Sequence, residues 1–271
     1  MVALTNYSDM VRTSLEEGVD IIFAGAGLPL DLPGYLHKGH KTKLVPIISS
    51  ARAAKIICKK WLNRYDYLPD GFVVEGPKAG GHIGLKREQI SNPDFSLERM
   101  VKEVIDSVKI VEQQTNKEIP VIPAGGIYNG KDIHKFLKLG AAGVQLGTRF
   151  VATHECDADK AFKQLYVDSR SEDMVIIQSP VGMPGRAIRN PFLDEVSRGA
   201  KTPFKCPFHC IKTCDSKKSP YCIALALANA RKGRFKYGFA FAGENAYRIK
   251  KIISVKELMV GLMSEYGLAA A

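Results

Sequence analysis

Residues 120–150 read PVIPAGGIYNGKDIHKFLKLGAAGVQLGTRF: an apolar run, a glycine pair, an amphipathic stretch, a second apolar run and a second glycine turn. The first run, 120–124, has the length and composition of a buried strand, and Gly125-Gly126 ends it where no side chain blocks an approaching anion. Successive bare N–H groups in such a turn form an anion-binding concavity. Ile133, Phe136 and Leu137 then recur at i, i+3 and i+4, which predicts a helix, and Gly140 stands where a left-handed residue closes it. Residues 142–146 read as a second strand, and Gly147-Thr148-Arg149 adds another backbone turn, a hydroxyl and a guanidinium. One Gly-Gly at a strand end is ordinary turn chemistry. Two such turns in consecutive strand–helix units point to a phosphate grip.

Working outward, apolar strand-like runs also occur at 20–24, 43–48 and 71–75, and the second run narrows to 143–146. Helical stripes separate the strands: Met10, Val11 and Leu15, closed by Gly18; residues 53–61; and Leu97, Val101, Val104, Ile105, Val108 and Val111. Apolar strands alternating with helices predict an α/β fold with a parallel sheet and right-handed crossovers, in which a barrel and an open sheet are both admissible. Glycine or polar residues follow each strand, as in Gly25-Ala26-Gly27, Ser49-Ser50 and Gly76-Pro77-Lys78. Ligand sites of parallel α/β folds lie at that end. After about residue 170 the pattern changes. Residues 179–185 read as a loop and 206–220 as a lysine- and cysteine-rich segment, while Ser254 and Glu257 form a capping box before Leu258, Met259 and Leu262.

Hydrophobic residues make up 45% of the 271 and charged ones 25%, which excludes disorder and a coiled coil. The net charge of +11 sits on lysines spread over helix faces, such as Lys55, Lys59 and Lys60 or Lys131, Lys135 and Lys138, so no nucleic acid partner is expected. The first residues carry Asp9, Glu16 and Glu17 where a secretion signal needs an apolar core, and the longest apolar stretch, 221–228, is far short of the roughly 20 residues that span a bilayer. The expectation is a cytoplasmic protein without membrane contact, its six cysteines reduced. Cys206, Cys210, Cys214 and Cys222 are spaced unlike common zinc or ferredoxin sites, so no metal ligand is assigned; a metal is the lesser reading beside free thiols.

A second motif, FVVEGPKAGGHIG at 72–84, sets His82 directly after three small residues at a strand's carboxyl end. An imidazole there can cap the turn, or it can meet a ligand and transfer a proton near neutral pH.

Together, Ala79-Gly80-Gly81-His82-Ile83-Gly84, Ala124-Gly125-Gly126-Ile127 and Gly143-Val144-Gln145-Leu146-Gly147-Thr148-Arg149-Phe150 resemble the nitronate monooxygenase (2-nitropropane dioxygenase) family, with Gly185-Arg186-Ala187-Ile188-Arg189-Asn190 as a further similar segment. The resemblance implies a TIM-type (β/α)8 barrel that binds FMN, a fold shared with the flavin-containing enoyl-ACP reductases. Gly125, Gly126, Gly147 and Thr148 would hold the phosphate, Gly80 and Gly81 would let the flavin and ribityl chain approach, Gln145 would lie along the cofactor, and catalytic His82 would stand beside the ring. The implied reaction is oxidation of an alkyl nitronate by oxygen to nitrite and a carbonyl product. A flavin-dependent enoyl-thioester reductase and a non-catalytic flavin- or phosphate-binding fragment are the alternatives.

Gly25, Leu28, Pro29 and residues 179–183 are weaker candidates for the substrate side. Against the family pattern, Pro123 and Lys78 are departures, and no Gly-Gly-Met-Gly loop occurs. Met1-Val2-Ala3 aligns with the end of a third barrel strand and 20–24 with the fourth. The expectation is therefore an N-terminally truncated barrel of about five complete strands that cannot close and exposes its edges. Residues 1–175 would form the FMN-binding part and 176–271 a mostly helical extension packed on it. The partners implied are a small-molecule substrate and oxygen, with a homo-oligomer left open.

Overall fold

The computed structural model describes residues 1–201, 206 and 208–271, so Pro207 of the cysteine-rich segment lies outside the described residues. The elements run α1 (Tyr7–Glu16), β1 (Ile21–Ala24), β2 (Lys43–Ile48), α2 (Ala51–Tyr65), β3 (Phe72–Glu75), β4 (Gly81–His82), α3 (Arg87–Ile90), α4 (Leu97–Thr115), β5 (Val121–Ala124) and α5 (Gly130–Lys138). They continue as α6 (Thr148–Val151), α7 (Lys160–Asp168), β6 (Met174–Gln178), β7 (Pro184–Ile188), α8 (Pro191–Ser197), α9 (Ile223–Arg231) and α10 (Val255–Ala270).

Four strands form a parallel sheet in the order β1-β2-β3-β5, as the alternation of apolar strands and helices requires. One face packs on α2 and α4 through Ile57, Trp61, Phe72, Val74, Val101 and Val104. The Trp61 indole is fully buried and donates to the Pro29 carbonyl at 3.0 Å. The other face carries Val45, Val73 and Ala124 with Ile47 and Ile122 against them. Side chains alternate along a strand, so Phe72 and Val74 meet the helices while Val73 and Glu75 face the opposite way.

The expected strand at 143–146 is one bridge, Ala124 to Gln145. Its other side has no strand to pair with among the described residues, and Gly143 brings no side chain to pack. No pairing joins β1 to that edge, so the sheet is an arc among the described residues. Val2 donates to the Gly25 carbonyl at 2.8 Å, which sets the first residues beside the end of β1. A bridge from Leu4 to Ile211 ties them to the cysteine-rich segment, whose described residues form turns.

A second sheet corrects the reading of 179–185 as loop. β6 and β7 form an antiparallel hairpin around a turn at Ser179 and Gly182, and β4 pairs with β7 on its other side. Pro184 and Gly185 belong to β7. β6 also runs across residues 175 and 176, where the sequence places a boundary. Met10, expected on the buried stripe of α1, is half exposed, whereas Val11 and Leu15 are buried.

α10 lies on α5, with Gly130 N–H donating to Glu265 Oε2 at 2.8 Å. Asn129 caps α5 in a capping box with Asp132, and Ser254 caps α10 in one with Glu257. Loss of such a cap costs about 1 kcal/mol. Asn129→Ala is expected to lower unfolding free energy by about that amount in urea denaturation, with the m-value unchanged.

Candidate functional site

At the carboxyl ends of β3 and β5 lies a cavity of about 280 Å3. Gly80, Gly81, Gly125, Gly126, Gln145, Gly147 and Thr148, all singled out from the sequence, line it. β5 ends at Ala124, and the chain then takes φ of +92° at Gly125 and +88° at Gly126, a left-handed pair that a side chain would strain. A Cβ on Gly126 would stand 2.7 Å from the Lys78 Cβ, and one on Gly125 would stand 2.9 Å from the Ala79 backbone nitrogen. The N–H groups of Gly125, Gly126, Ile127 and Gly147 meet no acceptor among the described residues. Around Gly81 and Gly147 there is open space.

Two guanidiniums stand at the same end. Arg149 lies 4.3 Å from the Tyr128 ring centroid and donates to the Tyr128 carbonyl at 2.8 Å, and Arg248 lies 4.0 Å from the same ring. Tyr128 itself lines the cavity. Burial raises its pKa against the pull of both arginines, so it stays neutral at ordinary pH. Backbone donors at the cavity, with two cations held on a lining ring, suit an anionic ligand group. The Thr148 hydroxyl accepts from Gly243 N–H at 3.0 Å and keeps its own proton free to donate.

Gly80 lines the cavity and also needs to lack a Cβ for a reason not read in the sequence. A Cβ there would lie 2.5 Å from the backbone of Ala242 and Gly243, which pack directly against it. The chain returns at 240–245 to wall the cavity. Ala242 N–H donates to the Arg186 carbonyl at 3.2 Å and Glu244 N–H to the Lys78 carbonyl at 3.1 Å, while the Asn245 amide donates to the Gly126 carbonyl at 2.6 Å. Beneath this wall the Arg186 guanidinium is buried. It donates to the Pro77 and Ala79 carbonyls at 2.6 and 2.9 Å and pairs with Glu244 at 3.2 Å. Lys78 lies 3.8 Å from the same carboxylate.

His82 belongs to β4, opposite Gly185. Its Nε2 is 2.7 Å from Ser179 Oγ, and its ring meets Phe241 edge-on at 5.0 Å. Phe241 lines the cavity, and His82 itself does not. Burial lowers the imidazole pKa, which favours the neutral ring. Of the weaker candidates, Ser179 and Val181 sit in the β6–β7 turn next to His82, whereas the Pro29 carbonyl is taken by Trp61 and Leu28 is exposed. Among the described residues no three His, Cys, Asp or Glu side chains stand where they could hold a metal ion.

Several lining residues, among them Tyr128, Tyr166, Phe241, Asn245 and Glu75, escaped the sequence reading. Glu75 is the last residue of β3 and faces the cavity from the Val73 side of the strand. Burial alone pushes its carboxyl up to about 7. Its signal was present in the sequence: an acid that closes an apolar strand two positions after an inward valine.

Comparison with known proteins adds to this geometry. A family profile described as nitronate monooxygenase matches residues 2–265. A probable nitronate monooxygenase of Staphylococcus saprophyticus is 27% identical over 199 residues, which are 73% of this chain and 52% of that protein. One from Staphylococcus aureus strain Newman is 32% identical over 130 residues, 48% of this chain and 34% of that protein. The chain thus spans about half the length, or less, of these curated relatives. Among solved structures, FabK from Thermotoga maritima superposes with a TM-score of 0.74 at 27% identity, covering 98% of this chain and 74% of that one. Nitroalkane oxidase from Streptomyces ansochromogenes gives 0.70 at 22% identity over 97% of this chain and 69% of that one, a likeness of fold.

Proposed function

Because the chain belongs to the nitronate monooxygenase family, we propose that its cavity binds FMN and that the protein oxidises alkyl nitronates with oxygen, releasing nitrite and a carbonyl product. The observation that carries this reading is the set of unpartnered N–H groups at Gly125, Gly126, Ile127 and Gly147, with Arg149 and Arg248 held on the ring of the lining residue Tyr128. Such a set fits a phosphate dianion, and the open space at Gly81 and Gly147 leaves room for the rest of the cofactor. FMN, when bound, supplies a two-electron acceptor. The parallel sheet is then an arc of a TIM-type barrel, with its ligand at the carboxyl ends of the strands. Residues 1–175 supply most of the cofactor contacts, and 176–271 complete the wall through Phe241, Ala242, Gly243 and Asn245.

This chain's residues then divide the work. Gly125, Gly126, Gly147 and Thr148 bind the phosphate, Gln145 lies along the cofactor, and Gly81 leaves the ring side open. His82, kept neutral by burial, is the base or orienting group for the substrate. Lys78 is the ammonium at the cavity wall that can attract an anionic nitronate, in competition with Glu244.

The likeness to FabK favours a second reading, reduction of an enoyl thioester by a nicotinamide through the same flavin. Purified protein is expected to carry FMN, released on heating and read by fluorescence, and to yield nitrite from a propyl nitronate in air without nicotinamide. NADH oxidation driven by an enoyl thioester, with no nitrite, would select the reductase. Protein that neither retains nor takes up flavin would leave neither activity standing.

A further inference from the structure

Cys206, Cys210, Cys214 and Cys222 line no part of the cavity at the ends of β3 and β5, and packing does not account for them. Cys58 is the packing cysteine of this chain, 4% exposed in the core under α2. The four in question are only partly buried and carry free thiols. The fold nevertheless gathers them. Ile211 packs on the apolar cluster that contains Tyr221 and Ile223, which brings together their chain neighbours Cys210 and Cys222. Cys214 N–H donates to the Ile211 carbonyl at 3.2 Å, so a tight turn returns Cys214 towards Cys210. On the other side, His209 takes a left-handed φ of +43° and its N–H donates to Cys206 Sγ at 3.3 Å, which wraps the first thiol into the turn before Cys210. Burial raises the Cys210 pKa, and the thiols of Cys222, Cys206 and Cys214 add to the rise, as groups close to it must. Residues 3–5 fix this backbone: Thr5 N–H donates to the Cys210 carbonyl at 3.1 Å and Lys212 N–H to the Ala3 carbonyl at 2.9 Å.

We propose that these four thiols are the ligands of an iron–sulfur cluster. The spacing matches no common signature, so the turns carry the assignment. A single zinc ion would draw its sulfurs to about 2.3 Å from one point. No three of these side chains stand around such a point among the described residues. An iron–sulfur core sets irons and sulfides between its four thiolates, so its ligands surround a larger body and stand farther apart. The surroundings suit its negative charge. Residues 206–222 carry Lys212, Lys217 and Lys218 against Asp215 alone. Cys222 is the N-cap of α9 and its sulfur makes no capping bond, which leaves the thiolate at the positive end of that helix. Donors also meet the sulfurs, with His209 N–H on Cys206 and Ser219 Oγ 3.7 Å from Cys214 Sγ. On assembly each thiol loses its proton to solvent and forms one sulfur–iron bond, and no electron moves in that exchange. The site is separate from the flavin cavity and does not rest on the FMN reading.

The full-length chain, purified without oxygen and reconstituted with ferrous iron and sulfide under a thiol reductant, tests this by elemental analysis after gel filtration. Wild type is expected to retain iron and acid-labile sulfide in equal amounts, about two or four of each per chain. Its visible absorption should bleach on addition of dithionite even after any flavin has been stripped. Cys210→Ser with Cys222→Ser is expected to lose that iron and sulfide while far-ultraviolet circular dichroism stays that of wild type. Cys156→Ser, outside the segment, should retain both. Wild type that holds no iron, holds iron without sulfide, or keeps zinc when zinc competes with iron and sulfide overturns the proposal whatever the variants do. Iron and sulfide that persist in the double variant overturn it as well, because the cluster would then lie elsewhere. Flavin content enters none of these readouts, so failure of the FMN reading and failure of this one are told apart.

Discussion

Arg186→Met is expected to destabilise the protein by about 3 kcal/mol and to abolish flavin retention. The guanidinium is 6% exposed and holds two loops with one group: Pro77 and Ala79 before β4, and Glu244 in the returning segment. Methionine matches the length of the side chain but donates nothing, so two carbonyls lose their donor at roughly 1–3 kcal/mol each. Glu244 is left unpaired too, yet its carboxylate is 40% exposed and water recovers much of that loss, which keeps the total near the low end for a broken buried pair. Burial lowers the Arg186 pKa and Glu244 opposes the shift, so the group remains charged across ordinary pH. Thermal unfolding should fall by roughly 6–12 °C for a domain of this size. Arg186→Lys should lie between the two, because one ammonium cannot serve both carbonyls and the carboxylate in a fork geometry. A melting temperature within about 2 °C of wild type and undiminished FMN content would show that the clamp is idle.

The same clamp shows what was legible in the sequence. β1, β2, β3, β5, α2 and α4 follow from local period alone, because each buries one face and its residues repeat at 2 or 3.6. Gly125, Gly126 and Gly147 were legible because a turn with open N–H groups needs glycine within a few residues of a strand. The β4-β7-β6 sheet was not. A two-residue strand, Gly81–His82, has no period, and β7 begins with proline and glycine, so only long-range pairing reveals either. The wall at 240–245 was hidden for the same reason. Asn245 reaches Gly126 across 119 residues, and nothing local in Ala242-Gly243 marks the backbone contact that forbids a Cβ at Gly80. Gln145 fell short of a strand because a strand needs neighbours as well as apolar side chains.

His82→Ala is expected to leave FMN bound and to lower the turnover of nitronate to nitrite by about a hundredfold, the lower range for loss of a positioned acid–base group. The imidazole does not line the cavity, and the N–H groups proposed to hold the flavin lie at the other strand ends, so cofactor content should hold. Phe241 lines that space, and its ring meets His82 edge-on at 5.0 Å. Phe241→Ala therefore separates two roles. If His82 acts on a substrate seated beyond Phe241, truncating that ring raises KM and spares most of kcat; if His82 only braces Phe241, both variants lose activity alike.

The pH profile adds a signature that bracing would not produce. Burial depresses the His82 pKa, so its working neutral form should persist below the ordinary histidine value of about 6.5 and fail only at lower pH. A conservative change at Ser179 that strips the 2.7 Å contact should move that acidic limb. Nitrite release that is unchanged in His82→Ala at equal FMN content, from pH 5.5 to 8, would take the imidazole out of the reaction and leave the β4–β7 turn as its structural setting.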